Sequence, residues 1–340
     1  MKPRVAWVSF AALRKTPGGW TSDVASARYR MTIPARALGD LGCDSVIVDA
    51  GPQADPSRLL KRVSQVDAAI FGKLVAPPEQ FVAQAPKILQ FVQALRGEGV
   101  RVLADFSDDS FQEPLRGPYF RGLSNLADAV IASTEGLADI LREETPAPVF
   151  VVTDPVEGER GVAAAWQADS DRPLQLLWYG HPTNLDTLGA GLVQIDRLAS
   201  RVPVEVTLVT TPGAVAQAWA AKVKRLVPWS TRAVFDELRA CDAVFIPSVP
   251  EERRRAIKSP NRFTEATWAG RFVIAHPLPS YDALSAYGWV GTDIGAGVEW
   301  LTQNPARARE RIQAGQAEIE TSFTPQAVGQ QWKAAILPQR

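Results

Sequence analysis

One helix start in the second half of the chain combines two cationic side chains with a capping residue. Ser259 is a favoured N-cap type, and Pro260 suits the first helical position because its missing N–H costs nothing there. Lys258 and Arg262 flank this start, and the polar Asn261 follows the proline. Free backbone N–H groups and the positive end of the helix dipole attract anions. The segment therefore predicts a seat for a pyrophosphate, with Lys258 and Arg262 stabilising its charge.

Glu265 lies deeper in the same predicted helix. A carboxylate there can accept hydrogen bonds from both hydroxyls of a ribose, and the spacing fits one nucleoside diphosphate. The ordinary alternative is that Glu265 pairs with Arg262 at i, i+3 and that Lys258 is merely solvated. The residues alone leave both open. The predicted helix follows strand Ala243–Ile246, and ligands of α/β proteins bind outside the carboxyl ends of strands, so the location favours a ligand.

A second turn with ligand-binding character follows the predicted strand Leu174–Tyr179. It contains Gly180, His181 and Thr183. Glycine lets a backbone approach a ligand closely, and threonine can donate a hydrogen bond or cap a helix. We include these three residues among the candidate ligand contacts, with an ordinary strand-to-helix turn as the alternative.

Two arginines open the first long helix of the chain. Arg28 and Arg30 follow the predicted strand Val5–Phe10 and its glycine-containing loop. A guanidinium binds carboxylate or phosphate oxygens bidentately, so both arginines are candidates to bind an acidic group or a phosphate of a ligand. Surface solubility is the equally weighted alternative.

Carboxylates and a lysine follow two other strands of the first half. Asp105 and Asp109 come directly after strand Val100–Ala104, and Lys73 comes after strand Ala68–Phe71. At such a position Asp105 or Asp109 can bind the hydroxyls of a ligand or take a proton. The alternative for Asp109 is a helix cap. Lys73 belongs to the same predicted rim.

Short apolar runs alternate with longer segments of helical period, which is typical of parallel β-α units. The predicted strands, besides those already named, are Ser45–Val48, Ala129–Ala132, Val149–Val152, Val204–Val209 and Phe272–Ala275. The predicted helices are Ala25–Leu41, Pro56–Ser64, Phe81–Gly97, Leu115–Leu126, Glu135–Arg142, Leu185–Ser200, Pro212–Lys222, Thr231–Ala240, Pro260–Ala269 and Thr324–Leu337.

This pattern occurs twice and predicts an α/β protein with two Rossmann-like domains facing across a cleft. We expect one domain over residues 1–155, a second over 173–322, and a last helix over 323–340 that packs back on the first domain. The intervening Asp154–Arg172 is rich in charge, Ala and Gly and fits an interdomain connection.

Composition excludes several classes of protein. The 340 residues carry 37 Lys+Arg against 37 Asp+Glu, so no overall field draws the chain to nucleic acid. The sequence contains no apolar run long enough to span a membrane, which leaves peripheral membrane contact open. Two cysteines without metal-ligand spacing favour a reducing compartment, so we expect a cytoplasmic location. Two histidines are too few for a multi-histidine metal centre, so we expect no metal.

The stretch Lys258–Ala275 resembles the donor-binding segment of retaining GT-B glycosyltransferases of the family-four-like group. In that group a Glu followed by Ala, then a small residue with Gly, then an apolar strand, contacts the donor ribose. The matching residues here are Glu265-Ala266, Ala269-Gly270 and Phe272–Ala275, preceded by Cys241–Ser248, with a similar segment at Ala127–Ser133 in the first half. The resemblance extends over nearly the whole chain, and it implies that residues 1–155 bind the acceptor and residues 173–322 bind the nucleotide sugar.

The resemblance implies transfer of a sugar from a UDP- or GDP-sugar to an acceptor, which is a glycan, a lipid-linked molecule or another compound. It further implies retention of anomeric configuration, no metal and no separate cofactor, as in polysaccharide biosynthesis. By the same resemblance Val227–Ser230 corresponds to the loop that holds the nucleotide base, so Trp229 is a candidate to stack on the base and Ser230 lies beside it. The alternative for Trp229 is a core or interdomain tryptophan.

The sequence departs from the family pattern in two places. Ile257–Ser259 stands where the family has a further Glu, and Gly180–Asn184 stands where it has Arg and Lys that bind phosphate. Lys258 and Arg262 are candidates to supply that charge. Asp169-Ser170-Asp171 spells a metal-binding motif of another glycosyltransferase fold but lies in the predicted connection, and Gly295-Ala296-Gly297 is too short for a dinucleotide fingerprint.

Two other functions fit the same fold. A sugar-nucleotide epimerase or hydrolase would turn over a nucleotide sugar without an added acceptor. A non-catalytic nucleotide-sugar-binding protein would bind without forming a product.

Overall fold

The computed structural model describes residues 2–51, 59, 63, 65–164, 166, 172–198, 201–215, 219, 223–249 and 251–337. Most of the predicted helices Pro56–Ser64 and Pro212–Lys222, and all of Asp169–Asp171, lie outside the described residues. The chain divides into two compact units. The first comprises Met1–Pro155, Ile257–Ser259 and Ser322–Arg340, and the second comprises Val156–Ala256 and Pro260–Thr321.

The first unit is built on a parallel sheet. Its strands are β1 (Arg4–Ser9), β4 (Asp44–Asp49), β5 (Ala68–Phe71), β6 (Arg101–Phe106), β7 (Ala129–Ala132) and β8 (Val149–Val151), with a hairpin of β2 (Arg14–Thr16) and β3 (Gly19–Thr21) after β1. Within the described residues the sheet order is β4-β1-β5-β6-β7-β8. Strands β5 and β7 are continuous apolar runs buried along their whole length, as expected when helices cover both faces of a sheet.

Helices cover the first sheet on both faces. They are α1 (Ala25–Ala27), α2 (Ile33–Asp40), α3 (Pro78–Gly97), α4 (Gly117–Leu126), α5 (Glu135–Glu144) and α12 (Pro325–Ile336). Alternate residues of β1 belong to two cores: Val8 packs in one, and Trp7 packs in the other with Trp332 of α12. The rings of Trp7 and Trp332 lie 4.9 Å apart. The last helix therefore completes the first unit.

The predicted helix Ala25–Leu41 is interrupted. A π-helical turn, Arg28–Thr32, separates α1 from α2, and all five of its residues are buried. Wider turns of this kind are frequent at functional sites, because they re-aim the side chains they carry. The turn directs Arg28 and Arg30 into the protein.

The second unit repeats the parallel sheet. Its strands are β9 (Leu174–Tyr179), β10 (Val204–Thr210), β11 (Arg225–Pro228), β12 (Ala243–Ile246), β13 (Phe272–Ala275) and β14 (Trp289–Val290), in the order β11-β10-β9-β12-β13-β14 among the described residues. Its α-helices are α6 (Leu188–Asp196), α7 (Thr231–Ala240), α8 (Arg253–Ala256), α9 (Asn261–Trp268), α10 (Ile294–Gln303) and α11 (Pro305–Ser322). Turns of 3₁₀ helix occupy Pro182–Thr187, Pro212–Ala214 and Pro279–Tyr287.

The segment expected to connect two domains instead packs in the second unit. The Gln316 side-chain amide donates to the carbonyl of Gly161 at 2.8 Å and to that of Trp268 at 3.0 Å. Trp166 is part of the second unit's core. The segment's content of charge, Ala and Gly predicted a linker, but the amide of Gly161 donates to the carbonyl of Trp268 at 2.9 Å and the amide of Ala164 donates to that of Gly270 at 3.1 Å.

Gly270 makes this packing possible. It ends α9 with a φ of +79°, a conformation that glycine adopts without strain. A Cβ at this position would lie 2.2 Å from the carbonyl oxygen of Val162. The small-residue-then-Gly pair of the donor-binding motif therefore has a structural cause in this chain.

Candidate functional site

Each sheet has a topological switch point, where the chain leaves one side of the first strand and continues on the other. It falls between β1 and β5 in the first unit and between β9 and β12 in the second. Ligands of α/β proteins bind in the crevice outside the carboxyl ends of strands at such points. A ligand of either unit is therefore expected near its switch point.

Glu265 is buried beside the end of β9. It is 5 % exposed, and its Oε2 accepts a hydrogen bond of 2.9 Å from the hydroxyl of Tyr179. The same hydroxyl lies 3.3 Å from the carbonyl oxygen of Arg262, a second acceptor for its one proton. The structure thus brings the acid of α9 to the switch point, but as a buried group engaged by a phenol and not as an open carboxylate.

Arg262 lies in the first turn of α9. Its guanidinium is 6.0 Å from the ring of Trp178, and its Nη1 is buried without a hydrogen-bond partner among the described residues. Burial raises the pKa of Tyr281, and the nearby Arg262 opposes that rise. A buried donor that lacks a partner costs free energy of about 1–3 kcal/mol or more, so an anion at this position would be favoured.

The start of α9 differs from the predicted one. The helix begins at Asn261 with Pro260 in the N-cap position and no side-chain cap. The Ser259 hydroxyl donates instead to Oδ2 of Asp154 at 2.7 Å, so the expected Ser259 cap is wrong. The carbonyl of Pro260 accepts from the amides of Phe263 and Thr264, which removes those two amides from the donors a ligand can use.

Lys258 is a residue of the first unit, where it joins a cluster around Asp108. Its Nζ lies 3.2 Å from one Asp108 oxygen, and the Nζ of Lys73 lies 2.7 Å from the other. Burial acts to raise the pKa of Asp108, but Lys73 and Lys258 outweigh it and lower this pKa to about 2. Two ammonium groups share one carboxylate, so the cluster carries excess positive charge.

Arg30 lies at the centre of a buried ion network. Its Nη2 is 2.6 Å from Oδ1 of Asp105, and its Nη1 is 3.0 Å from Oδ1 of Asp154 and donates to the carbonyl of Val152. Burial acts to lower the pKa of Arg30, but the two carboxylates raise it above its usual range. The structure gives Arg30 two internal carboxylate partners where the sequence suggested an external one.

Arg28 is likewise turned inward. It is 4 % exposed, its Nη1 donates to the carbonyl of Ser22 at 2.9 Å, and its guanidinium lies 5.4 Å from the ring of Tyr29. Surface solubility is therefore the wrong alternative for both arginines, because the π-helical turn buries them.

A pocket lies at the switch point of the first unit. Asp105, Lys73 and Arg30 contribute to its wall. The other lining residues are Ser9, Phe10, Ala11, Ser26, Ala27, Met31, Gly72, Val75 and Ser107. Burial raises the pKa of Asp105, and Asp154 adds to that effect, while Arg30 opposes it. Asp105 is the predicted acidic residue that lines this pocket.

The remaining predicted residues have local partners. Oδ1 of buried Asp109 accepts from the amide of Phe111 at 3.2 Å, with no helix starting there. His181 Nδ1 lies 3.0 Å from Thr183 Oγ1 at the start of a 3₁₀ turn, and both residues are exposed. The Ser230 hydroxyl accepts from the amide of Ala233 at 3.0 Å and caps α7.

Gly180 directly follows strand β9, and Trp229 directly follows strand β11. The amide of Gly180 donates to the carbonyl of Val209 at 3.1 Å, and the amide of half-buried Trp229 donates to the carbonyl of Thr210 at 2.9 Å. The segment Val227–Ser230 was expected to be a loop, but Val227 and Pro228 pair with β10 as the end of β11. The pairing places Trp229 at the carboxyl edge of the sheet.

Sequence reasoning missed Tyr179, Trp178 and Asp154. Tyr179 is the last residue of a strand whose bounds were predicted, so its position at a carboxyl end was the available signal. Asp154 follows β8 closely and carries the same signal. The position after or at a strand end did not indicate that Tyr179 would bond to Glu265 or that Asp154 would bond to Ser259.

Other classes of site are not found in the described part of the chain. No group of three or more His, Cys, Asp or Glu residues there is placed to hold a metal ion. No helix there has both the length and the apolar character to cross a bilayer. Cys43 and Cys241 are free and buried, and burial raises the pKa of Cys241 to about 12.

Comparison with solved structures finds matches over the full chain. HepE from Anabaena, in complex with UDP, matches at 12 % identity and a TM-score of 0.65, covering 98 % of both chains. A glycosyltransferase from Rickettsia africae matches at 13 % identity and 0.65, covering 100 % of both. An alpha-glucosyltransferase in complex with UDP and a 13-mer DNA containing an HMU base matches at 10 % identity and 0.65, also covering 100 % of both.

No protein-family model and no curated protein sequence matches the chain. The likeness is therefore one of fold: two units, each with a parallel Rossmann-like sheet, as in GT-B glycosyltransferases. The expected α/β class and the GT-B resemblance are confirmed at this level.

Proposed function

We propose that this chain is a glycosyltransferase that moves a sugar from a nucleotide-diphosphate sugar to an acceptor. Likeness of fold to a glycosyltransferase and to an alpha-glucosyltransferase in complex with UDP, each over 100 % of both chains, supports the proposal. The observation that carries it within this chain is Arg262, a cation in the first turn of α9 whose buried Nη1 has no hydrogen-bond partner among the described residues.

In this proposal the donor diphosphate binds against Arg262 and the start of α9. Negative charge grows on the diphosphate as the glycosidic bond breaks, and a fixed guanidinium beside a helix N-terminus stabilises it. Glu265 binds the ribose hydroxyls, and Tyr179 donates to its Oε2. Trp229 stacks on the base, with Ser230, Gly180, His181, Thr183 and Asn261 as further contacts.

The acceptor binds, in this proposal, at the pocket of the first unit. Asp105 lines that pocket and has a raised pKa, which suits a group that exchanges a proton with an acceptor hydroxyl. Lys73 and Lys258 add positive charge around Asp108. Retention of configuration, UDP or GDP as the nucleotide, and action without a metal complete the proposal.

The first test is nucleotide binding. Thermal unfolding is measured with UDP, GDP, ADP and TDP, and we expect one of them to raise the melting temperature. Arg262→Met should weaken binding of that nucleotide about tenfold or more, because a charge-assisted hydrogen bond is lost. Arg232→Met is the matched control, since the side chain of Arg232 is 92 % exposed. Equal affinity of Arg262→Met and the control would contradict the assignment.

The second test separates the three activities. Release of UDP from UDP-glucose is measured with and without acceptor glycans. Release that requires an acceptor supports transfer. Release without any acceptor would favour the hydrolase or epimerase, and binding without release would favour the non-catalytic protein.

A further inference from the structure

Tyr179 of strand β9 donates a hydrogen bond to Glu265 of helix α9. It ends β9 at the switch point of the second sheet, and its hydroxyl reaches α9, where Oε2 of Glu265 lies 2.9 Å away. Tyr179 is 5 % exposed and Glu265 is also 5 % exposed. The hydrogen bond is therefore shielded from water, and hydrogen bonds to a carboxylate in such surroundings are stronger than those in solvent.

The alternative acceptor of the same hydroxyl lies on the same helix. The carbonyl of Arg262 is 3.3 Å from the Tyr179 oxygen, and a phenol has one proton to donate. The shorter contact, to a carboxylate oxygen of Glu265, is the stronger of the two. Tyr179 consequently holds one oxygen of the Glu265 carboxylate at the end of β9.

We propose that Tyr179 is a positioning residue that sets the Glu265 carboxylate for the ribose hydroxyls of the donor nucleotide. This inference rests on the proposed function, because it requires a nucleotide at α9. Tyr179 itself makes no contact with the sugar or the phosphates in this proposal. Its removal should therefore affect the part of the affinity that depends on ribose hydroxyls and leave the rest.

The experiment measures the affinity of UDP and of 2′,3′-dideoxy-UDP by calorimetry for the wild type, Tyr179→Phe, Glu265→Gln and the double variant. We expect Tyr179→Phe to weaken UDP binding about tenfold, as for loss of a hydrogen bond to a charged group, and to change dideoxy-UDP binding less than about twofold. In the Glu265→Gln background, Tyr179→Phe should add less than about twofold, because residues acting through one contact are not additive.

Tyr119→Phe is the matched control. Tyr119 is a buried tyrosine of the first unit whose hydroxyl has no hydrogen-bond partner among the described residues. The Tyr119→Phe substitution removes a tyrosine hydroxyl without affecting α9, so the affinities for UDP and for dideoxy-UDP should stay at the wild-type values.

The outcomes distinguish the inference from the function it rests on. If Tyr179→Phe weakens UDP and dideoxy-UDP binding equally, Tyr179 has a general structural role and the inference is overturned. The same holds if Glu265→Gln weakens UDP binding and Tyr179→Phe does not. If UDP, GDP, ADP and TDP all fail to bind the wild type, both the proposed function and this inference are overturned.

Discussion

At the carboxyl edge of the first sheet, Arg30 faces two carboxylates, Asp105 and Asp154, whereas at the edge of the second sheet the buried Nη1 of Arg262 has no hydrogen-bond partner among the described residues. Arg30 follows strand β1, and Arg262 lies between strands β12 and β13. The difference is one of internal neutralisation. Removal of a cation that is matched inside the protein leaves buried carboxylates without a partner, whereas a cation that is not matched there is available to an external anion.

The largest expected effect tests this difference with one substitution made twice. Arg30→Met should lower the free energy of unfolding by about 3–5 kcal/mol, because it leaves buried Asp105 and Asp154 without their cation. Arg262→Met should change it by less than about 1 kcal/mol, because the buried Nη1 has no hydrogen bond to lose among the described residues. Urea unfolding of both variants measures the two values. Similar losses at the two positions would break the comparison.

The next effect concerns pH and the first unit alone. The folded pKa of Asp108 is about 2, below the ordinary 3.8, so its ionised form stabilises the folded state above about pH 4, and this contribution is lost as pH falls from about 4 to about 2. The contribution is about 2 kcal/mol at most, since one pKa unit corresponds to 1.36 kcal/mol. The Asp108 side chain is 20 % exposed, so solvent screening reduces it only in part.

Unfolding free energies of the wild type and Asp108→Asn, measured from pH 7 to pH 2, give the test. The difference between the two proteins should shrink across that acidic window. A difference independent of pH would show that the two lysines do not hold the Asp108 carboxylate ionised.

The smallest effect concerns a feature that the two units share. Thr134 caps α5 and Ser230 caps α7, each accepting from an amide three residues on. Replacement of either by alanine should lower the free energy of unfolding by about 1 kcal/mol. The Thr134 loss should be the larger, because its hydroxyl also donates to the carbonyl of Ile257 at 2.9 Å. Equal losses in thermal unfolding would show that this second bond adds no net stability.

The sequence alone determined much of the secondary structure of both units. Strands Ala68–Phe71, Ala129–Ala132, Leu174–Tyr179, Ala243–Ile246 and Phe272–Ala275 lie where the apolar runs predicted them. Continuous apolar runs bounded by polar or turn residues are a local signal, and burial on both faces makes it strong. Helices α10 and α11 were not predicted.

Only the tertiary structure decided which residues meet at the candidate site. Glu265 and Tyr179 are 86 residues apart in the chain, and Ser259 bonds to Asp154 at a separation of 105. Local pattern placed Tyr179 and Glu265 near strand ends, but it specified neither their hydrogen bond nor the loss of the Ser259 cap. Such pairs depend on which strands become neighbours in the sheet, a choice made by packing over the whole unit and not by any single segment.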